Sequence, residues 1–176
     1  MSFIYSDKYY ADIGYHVFPI QKYRLVYQEM LKEAEVTAIH FLSPGPATAE
    51  ELLLVHTPEY LHDLDQCAWT ERTSSSELPI SEEIIGLFKL AAGGTILAAR
   101  EALKGGWAMH LSGGFHHAFA DKAEGFCYLN DLAVGARVVQ KNGLAEKVAI
   151  VDCDLHQGNG TAVIFQGDDS VFTFSM

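Results

Sequence analysis

An apolar run that ends in two acids and a histidine constrains the fold of this chain more than any other feature. Residues 148–151 read Val-Ala-Ile-Val, and Asp152, Asp154 and His156 follow at alternate positions. In an extended backbone, residues two apart point to the same side, so these three side chains converge where a strand ends. Carboxylate and imidazole groups bind divalent transition metals. The run predicts a buried strand with a metal site at its end, although turn or helix-capping roles for the acids stay open on spacing alone.

A second polar cluster carries two adjacent histidines. His116 and His117 follow Ser112-Gly113-Gly114-Phe115, whose small residues let the backbone turn sharply. A lone histidine is usually a hydrogen-bonded filler, and we interpret the other histidines of the chain in this way. They are His16, His40, His56, His62 and His110. A glycine-rich loop that presents two imidazoles has little packing purpose, so the pair indicates proton transfer beside a metal, as in metal-assisted amide hydrolysis.

The composition narrows the class of protein. With 176 residues, 49% hydrophobic and 20% charged, the chain suits one domain over residues 1–176. A net charge of −11 argues against direct binding of nucleic acid or of an anionic membrane, since both need clustered Lys and Arg. The three cysteines are odd in number and lack metal-type spacing, and we find no membrane-spanning apolar segment. These features predict a cytoplasmic protein.

Helix and strand signals alternate along the chain. Thr57 and Pro58 are typical of a helix start, and Ser81 is typical of the cap of a long helix from Glu82 to about Leu103. Close packing is the expected reason for Gly93-Gly94 within that helix. Other predicted segments are strands at 52–55, 107–111, 148–151 and 171–174, a helix at 130–140, and a surface loop at 70–77. The alternation predicts an α/β fold, an open parallel sheet with helices on both faces.

Both polar clusters follow predicted strands, and ligands bind beyond the carboxyl ends of the strands in such sheets. The chain ends on Val171-Phe172-Thr173-Phe174-Ser175-Met176, a buried-type strand whose apolar face has no following element to cover it. We therefore expect either another chain to cover this face, or the fold to be incomplete at its carboxyl end.

Three motifs together resemble the zinc-dependent histone deacetylase family, in the family's order and spacing. They are Gly113-Gly114-Phe115-His116-His117, Gly125-Phe126-Cys127-Tyr128-Leu129-Asn130-Asp131 and Asp152-Cys153-Asp154-Leu155-His156-Gln157-Gly158-Asn159-Gly160. The segments Gly93-Gly94-Thr95, Gly106-Trp107-Ala108 and Gln157-Gly158-Asn159-Gly160 look most like class IV and its bacterial relatives. The resemblance covers nearly the whole chain but only the amino-terminal half or so of a family catalytic domain. It implies an arginase-like fold and hydrolysis of an acyl-lysine or a small acylated amine.

The resemblance also implies roles for the two clusters. Asp154 and His156 correspond to ligands of zinc or of another divalent transition metal. His117 corresponds to the general base that takes a proton from the attacking water. His116, hydrogen-bonded to Asp152, corresponds to an electrostatic or proton-donating partner.

Substrate contacts follow from the same resemblance. Gly125 and Phe126 correspond to the walls of a narrow tunnel for the lysine stem, where apolar groups suit a methylene chain. Glu77 lies near the position of a rim acid that holds the substrate backbone, and a solvated loop residue is an equally good interpretation. Arg24 corresponds to an arginine in the internal cavity below the metal, with a surface helix cation as the alternative.

The family also binds structural potassium ions, and the resemblance implies two sites. The nearer site corresponds to Asp152, Asp154, His156, Ser175 and Met176, and the farther site to Phe165, Asp168 and Val171. Several of these residues would bind through main-chain carbonyls, and hard oxygen donors suit an alkali ion.

Two departures from the family pattern leave three hypotheses open. Asn159 stands where many members have an aspartate, and an amide holds an imidazolium less strongly than a carboxylate does. The family's third zinc ligand and its catalytic tyrosine would lie beyond Met176.

The first hypothesis is a zinc-dependent deacylase of which this chain is the first part. The second is a non-catalytic module whose last strand is covered by a partner segment or a second copy. The third is an acetylpolyamine- or arginase-type amidohydrolase, which metal stoichiometry would distinguish.

Overall fold

Short parallel strands alternate with helices along the chain. The computed structural model describes residues 2–33, 36–37 and 40–176. The strands in these ranges are β1 Ser2–Ile4, β2 Phe41–Leu42, β3 Ala108–His110, β4 Val148–Asp152 and β5 Val171–Ser175. The helices are α1 Lys22–Met30, α2 Ala49–Leu52, α3 Pro58–Asp65, α4 Glu71–Ser74, α5 Glu82–Gly105, α6 Asp131–Lys141 and α7 Asn159–Ile164. None of the helices in these ranges is long and apolar enough to cross a membrane.

All the strand pairings are parallel, as predicted. The strands form two groups, one in the order β2-β1-β3 and one that pairs β4 with β5. The pairing of β4 with β5 brings Asp152 opposite Ser175. The α/β prediction is confirmed, and the chain leaves both β3 and β4 from their carboxyl ends into the polar segments singled out above.

Local signals set the starts of two helices as predicted. The Thr57 hydroxyl accepts a hydrogen bond from the backbone of Tyr60 at 3.4 Å, and Pro58 is the first residue of α3. Ser81 caps α5 by accepting from the backbone N–H of Ile84 at 3.2 Å. Each cap satisfies an N–H group that has no partner within its own helix, so local chemistry alone fixes these boundaries.

Close packing explains the two adjacent glycines of α5. A β-carbon on Gly94 would overlap the side chains of His110 and Tyr9, and one on Gly93 would overlap the carbonyl of Gly45. The helix thereby lies directly against β3 and the loop before α2. The packing interpretation of Gly93-Gly94 is confirmed.

The predicted strand at 52–55 is wrong. Leu52 instead ends α2, a single helical turn that begins with a capping box between Thr48 and Glu51. The Thr48 hydroxyl accepts from the Glu51 N–H at 3.2 Å, and the Glu51 carboxylate accepts from the Thr48 N–H at 2.9 Å. These reciprocal bonds favour a helical turn over the extended conformation that the apolar run indicated.

The predicted surface loop at 70–77 is also wrong. It contains α4, and the side chains of Thr73 and Ser76 are fully buried. Thr73 donates its hydroxyl to the carbonyl of Ala68 at 2.6 Å, and the Ser76 hydroxyl accepts from the N–H of Leu78 at 3.1 Å. Hydroxyl groups with such partners are buried at little cost, so a run rich in Ser and Thr need not face water.

The β4–β5 pair buries one of its faces and leaves apolar side chains exposed on the other. Ile150 and Val171 are buried with Phe165 and residues of α6 in a small apolar cluster. On the other face, Val151 is 63% exposed and Phe172 is 64% exposed. The structure thus shows the apolar strand face that the sequence predicts.

Candidate active site

The two polar clusters meet at one cavity. Its volume is about 650 Å³. The predicted site residues that line it are Glu77, His116, His117, Gly125, Phe126, Asp152, Asp154 and His156. The loop after β3 contributes the histidines, and the segment after β4 contributes the acids. Two segments about forty residues apart in sequence therefore face each other across the carboxyl ends of two strands, where α/β sheets commonly bind ligands.

His116 is buried and held by a carboxylate. Its ring nitrogen Nδ1 lies 2.5 Å from Oδ2 of Asp152, the last residue of β4. Because an ionised carboxylate only accepts hydrogen bonds, Nδ1 carries the proton. His116 is 6% exposed, so its ring is fixed in place and has little access to solvent.

His117 has a different partner and more access to the cavity. Its Nδ1 lies 2.7 Å from the side-chain oxygen Oδ1 of Asn159, the first residue of α7. An amide oxygen only accepts, so Nδ1 again donates, which leaves Nε2 as the nitrogen that can take a proton. The half-buried ring lines the cavity. Of the two imidazoles, His117 is the one placed to exchange a proton with a bound molecule.

A tight turn at Gly125 and Phe126 shapes the cavity wall. Both residues have positive φ, +53° and +65°, and a β-carbon on Gly125 would lie only 2.6 Å from the His117 ring. Phe126 is held in this conformation by its N–H, which donates to the carbonyl of Ser76 at 2.8 Å. Its ring meets His16 edge-on, with ring centroids 4.8 Å apart. His16, interpreted from sequence as a filler residue, therefore supports the wall.

Asp154 and His156 form a pair of metal-type donors. Oδ1 of Asp154 lies 3.3 Å from Nδ1 of His156. Two ligands at roughly 2.0–2.1 Å from a tetrahedral zinc ion lie about 3.3 Å from each other, so the spacing fits two neighbouring ligand positions. The backbone N–H of His156 donates to Asp154 at 2.8 Å and lowers the pKa of that carboxyl, which favours the ionised form that binds a metal.

The pair does not by itself make a complete metal site. Within residues 2–33, 36–37 and 40–176, no group of three His, Cys, Asp or Glu side chains is arranged to hold a metal ion. A catalytic zinc ion usually has three protein ligands. The residues present thus fit two of the three positions.

Sequence reasoning assigned no role to Asp131, which the structure places behind the histidine loop. Asp131 is fully buried. Its carboxylate accepts from the backbone N–H groups of Gly114 and Phe115, at 3.1 and 2.8 Å, and from the Thr95 hydroxyl at 2.5 Å. Burial raises the pKa of this carboxyl, and the donated hydrogen bonds oppose that shift. Only the position of Asp131 in the second motif could have pointed to it.

Replacing Asp131 by alanine is expected to lower the free energy of unfolding by about 3 kcal/mol, because the buried N–H of Phe115, the N–H of Gly114 and the Thr95 hydroxyl lose their acceptor. Urea unfolding followed by circular dichroism measures the change. Asp169→Ala is the matched control, since Asp169 is exposed, and it should shift stability by less than about 0.5 kcal/mol. A loss below about 1 kcal/mol for Asp131→Ala would show that the carboxylate does not hold the loop.

Two cations near the start of α1, Lys22 and Arg24, line different cavities. Arg24 lines a separate cavity of about 430 Å³ with Tyr5, Asp7 and Tyr9. Lys22, two residues earlier, lines the site cavity, and its Nζ lies 4.8 Å from the centre of the Phe18 ring. The role that the resemblance implies for Arg24, in an internal cavity below the metal, stays a prediction.

The residues expected to hold potassium lie at the ends of β4, β5 and α7. Oγ of Ser175 accepts from the N–H of Gly158 at 3.0 Å, and the N–H of Met176 donates to the carbonyl of Asp152 at 3.3 Å. The Asp168 carboxylate forms an ion pair with Arg137 at 2.6 Å. Hydrogen bonds from Ser170, together with Arg137, lower the pKa of Asp168 to about 2. Potassium binding stays a prediction for these positions and for Phe165 and Val171.

Comparisons with known proteins show which proteins the chain resembles. The profile of the histone deacetylase domain matches residues 16–176. The chain is 43% identical to an uncharacterized protein of Picosynechococcus, over 92% of this chain and 54% of that protein. It is 30% identical to "Histone deacetylase 2" of Arabidopsis thaliana, over 100% of this chain and 48% of that protein. It also superimposes on the crystal structure of an HDAC homolog from Aquifex aeolicus with a TM-score of 0.83 at 29% identity, covering 99% of this chain and 50% of that one. The chain thus spans about half the length of the relatives it matches.

Proposed function

The chain belongs to the histone deacetylase family, and from that premise we propose that the full protein is a zinc-dependent deacylase. It would hydrolyse the amide of an acyl-lysine peptide or of a small acylated amine with an activated water. The observation that carries the proposal is the meeting, in one cavity, of His117 with the Asp154–His156 donor pair. A base and a pair of metal ligands that face the same space are the minimum for this reaction.

The chain's own residues would move and hold the proton. Zinc, when bound by Asp154 and His156 with a further ligand, would polarise the amide carbonyl and acidify a water molecule. His117 would take a proton from that water on Nε2, since its Nδ1 is engaged with Asn159. His117 would then deliver the proton to the amine nitrogen that leaves.

The cavity walls suit the proposed substrates. The rings of Phe18, Tyr23 and Phe126 line the space in front of the histidines, and apolar rings pack well against a lysine methylene chain. Glu77 lines the same cavity and would accept a hydrogen bond from the substrate backbone, as a rim acid does. Direct nucleic-acid binding, which the net charge of −11 opposes, is not part of the proposal.

Three finer statements belong to the same proposal. The metal would be zinc or another divalent transition metal, and potassium would bind as a structural ion at the sites named above. Residues 1–176 would act as one deacetylase-like unit, and the protein would be cytoplasmic. An acetylpolyamine- or arginase-type enzyme remains the alternative within this chemistry, and one metal ion per chain rather than two would argue against the arginase type.

The test uses the full-length protein as it occurs naturally. After zinc loading, we expect release of acetate from an acetyl-lysine peptide, loss of the activity with a chelator, and recovery with added zinc. Asp154→Asn is expected to lower zinc affinity and to reduce turnover about 100-fold or more, because it removes a charged ligand. Asp169→Asn is the control of equal charge change at an exposed position. Absence of chelator-sensitive hydrolysis of acyl-lysine and acylated-amine substrates would contradict the proposal.

A second candidate function has one observation in its favour. The exposed apolar face of β4–β5, with Val151 and Phe172 at its centre, suits a module that binds a partner segment or a second copy of the chain. Such a module would bind zinc weakly or not at all. Isothermal titration of the natural protein with zinc separates the two candidates, because the enzyme requires tight, stoichiometric binding.

A further inference from the structure

A second carboxylate lies behind the partner of His117. Oε1 of Glu124 accepts a hydrogen bond from Nδ2 of Asn159 at 2.6 Å. The other carboxylate oxygen, Oε2, accepts from Nζ of Lys122 at 2.8 Å. Glu124 comes directly before the turn at Gly125, and its backbone pairs with that of Cys127 across the turn. The side chains of His117, Asn159, Glu124 and Lys122 therefore form one continuous row of hydrogen bonds.

This row determines which way the Asn159 amide faces. An asparagine side chain can present either its oxygen or its NH₂ group to a neighbour, and only its surroundings decide between them. An ionised Glu124 accepts and never donates, so the NH₂ group of Asn159 must face it. The ion pair with Lys122 lowers the pKa of Glu124 and keeps it ionised. The N–H of Gly160, which donates to Oδ1 of Asn159 at 2.9 Å, favours the same orientation.

The orientation of Asn159 in turn fixes the tautomer of His117. With Oδ1 directed at the ring, Nδ1 must carry the proton, and Nε2 has the free lone pair that a general base needs. If the amide turned over, its NH₂ group would face Nδ1. The ring would then carry its proton on Nε2 and could not accept one from water. A wrong tautomer disables a catalytic imidazole even where its position is unchanged.

We propose that Glu124 is a positioning residue that sets the tautomer of His117 through Asn159. Asn159 and Glu124 together would do what a single aspartate does directly. The negative charge of Glu124 acts on the imidazole of His117 through two hydrogen bonds instead of one. The use of this tautomer in catalysis rests on the proposed deacylase function. The tautomer itself is a property of the folded protein and is measurable without any turnover.

The first test reads the tautomer directly. In the full-length protein labelled with ¹⁵N-histidine, at a pH where His117 is neutral, its ring nitrogens should show a single tautomer with the proton on Nδ1. In Glu124→Gln, whose amide can donate as well as accept, we expect a mixture of both tautomers. Glu101→Gln is the matched control, because Glu101 also pairs with a lysine, Lys104 at 2.7 Å, but belongs to α5 and does not line the site cavity. A single Nδ1–H tautomer in Glu124→Gln would overturn the proposal.

The second test is a double-mutant cycle on turnover. Glu124→Gln should lower kcat about tenfold with little change in KM, because only the fraction of protein with the correct tautomer reacts. In an Asn159→Asp background the carboxylate accepts from His117 directly and repels Glu124, so adding Glu124→Gln should raise kcat. The same loss in both backgrounds would mean that Glu124 only stabilises its loop, and would overturn the proposal. If the natural protein hydrolyses no acylated amine, the deacylase proposal fails, while the ¹⁵N experiment still decides the role of Glu124.

Discussion

Replacing His117 by alanine is expected to lower kcat for acyl-lysine hydrolysis by about 1,000-fold, within the range by which general-base groups accelerate reactions. KM should change little, because the ring contributes mainly to proton transfer and not to binding of the lysine stem. Both histidines line the cavity, but His116 is buried against Asp152 whereas His117 is only half-buried, so the structure favours His117 as the base. Steady-state kinetics on the zinc-loaded full-length protein measures both constants.

The control for this experiment is another histidine that is exposed and remote from the cavity. His62 lies on the exposed side of α3, so His62→Ala should leave kcat within about twofold of the natural protein. Circular dichroism of both variants checks that the fold is intact. If His117→Ala retains more than about a tenth of the natural kcat, the general base is a different group, and the role given to His117 is wrong.

The parts of the site that sequence predicted are those set by local geometry. A strand ends at Asp152 as the apolar run predicts, whereas Asp154 and His156 lie in a bend directly after it, where the strand period no longer applies. The turn after β3 presents His116 and His117 for a similarly local reason, since glycines allow it. Both segments follow the carboxyl ends of strands, β3 in one sheet and β4 in the other, and both line the same cavity. No distant contact had to be known for any of these steps.

The parts that sequence missed depend on contacts between distant segments. The segment around Ser76 reads as an exposed loop, but the Ser76 carbonyl accepts from the N–H of Phe126, fifty residues later, and so helps to hold the turn that shapes the cavity wall. Glu124 reads as an ordinary loop acid next to Lys122, and only the folded chain brings it to Asn159. Lys22 and Arg24 are two residues apart, about half a helical turn, and line different cavities. Spacing along the chain carries no information on such pairs.

A buried histidine outside the active site predicts how the fold responds to acid. His56 is 2% exposed, and its Nε2 accepts a hydrogen bond from the backbone N–H of Asn130 at 3.2 Å. Asn130 caps α6 and donates its side-chain amide to the carbonyl of Ala118 and the hydroxyl of Thr161. A proton on Nε2 would face the N–H of Asn130, so that two hydrogen-bond donors would meet without an acceptor. It would also place a positive charge in the core. Burial accordingly lowers the pKa of His56 from 6.5 to about 4.

This depressed pKa makes stability depend on pH in a defined window. Between pH 6.5 and about 4 the unfolded chain holds a proton on His56 that the folded chain does not, so the free energy of unfolding falls as the pH falls. The full loss from this group is about 3 kcal/mol, and above the window it contributes no pH dependence. In His56→Gln, the free energy of unfolding measured with urea should decrease less between pH 7 and pH 4 than in the natural protein. This holds whatever the stability of the variant at pH 7. His62→Gln, at an exposed position, should keep the natural slope. Equal slopes for the natural protein and His56→Gln would mean that His56 accepts its proton without opening the junction at Asn130.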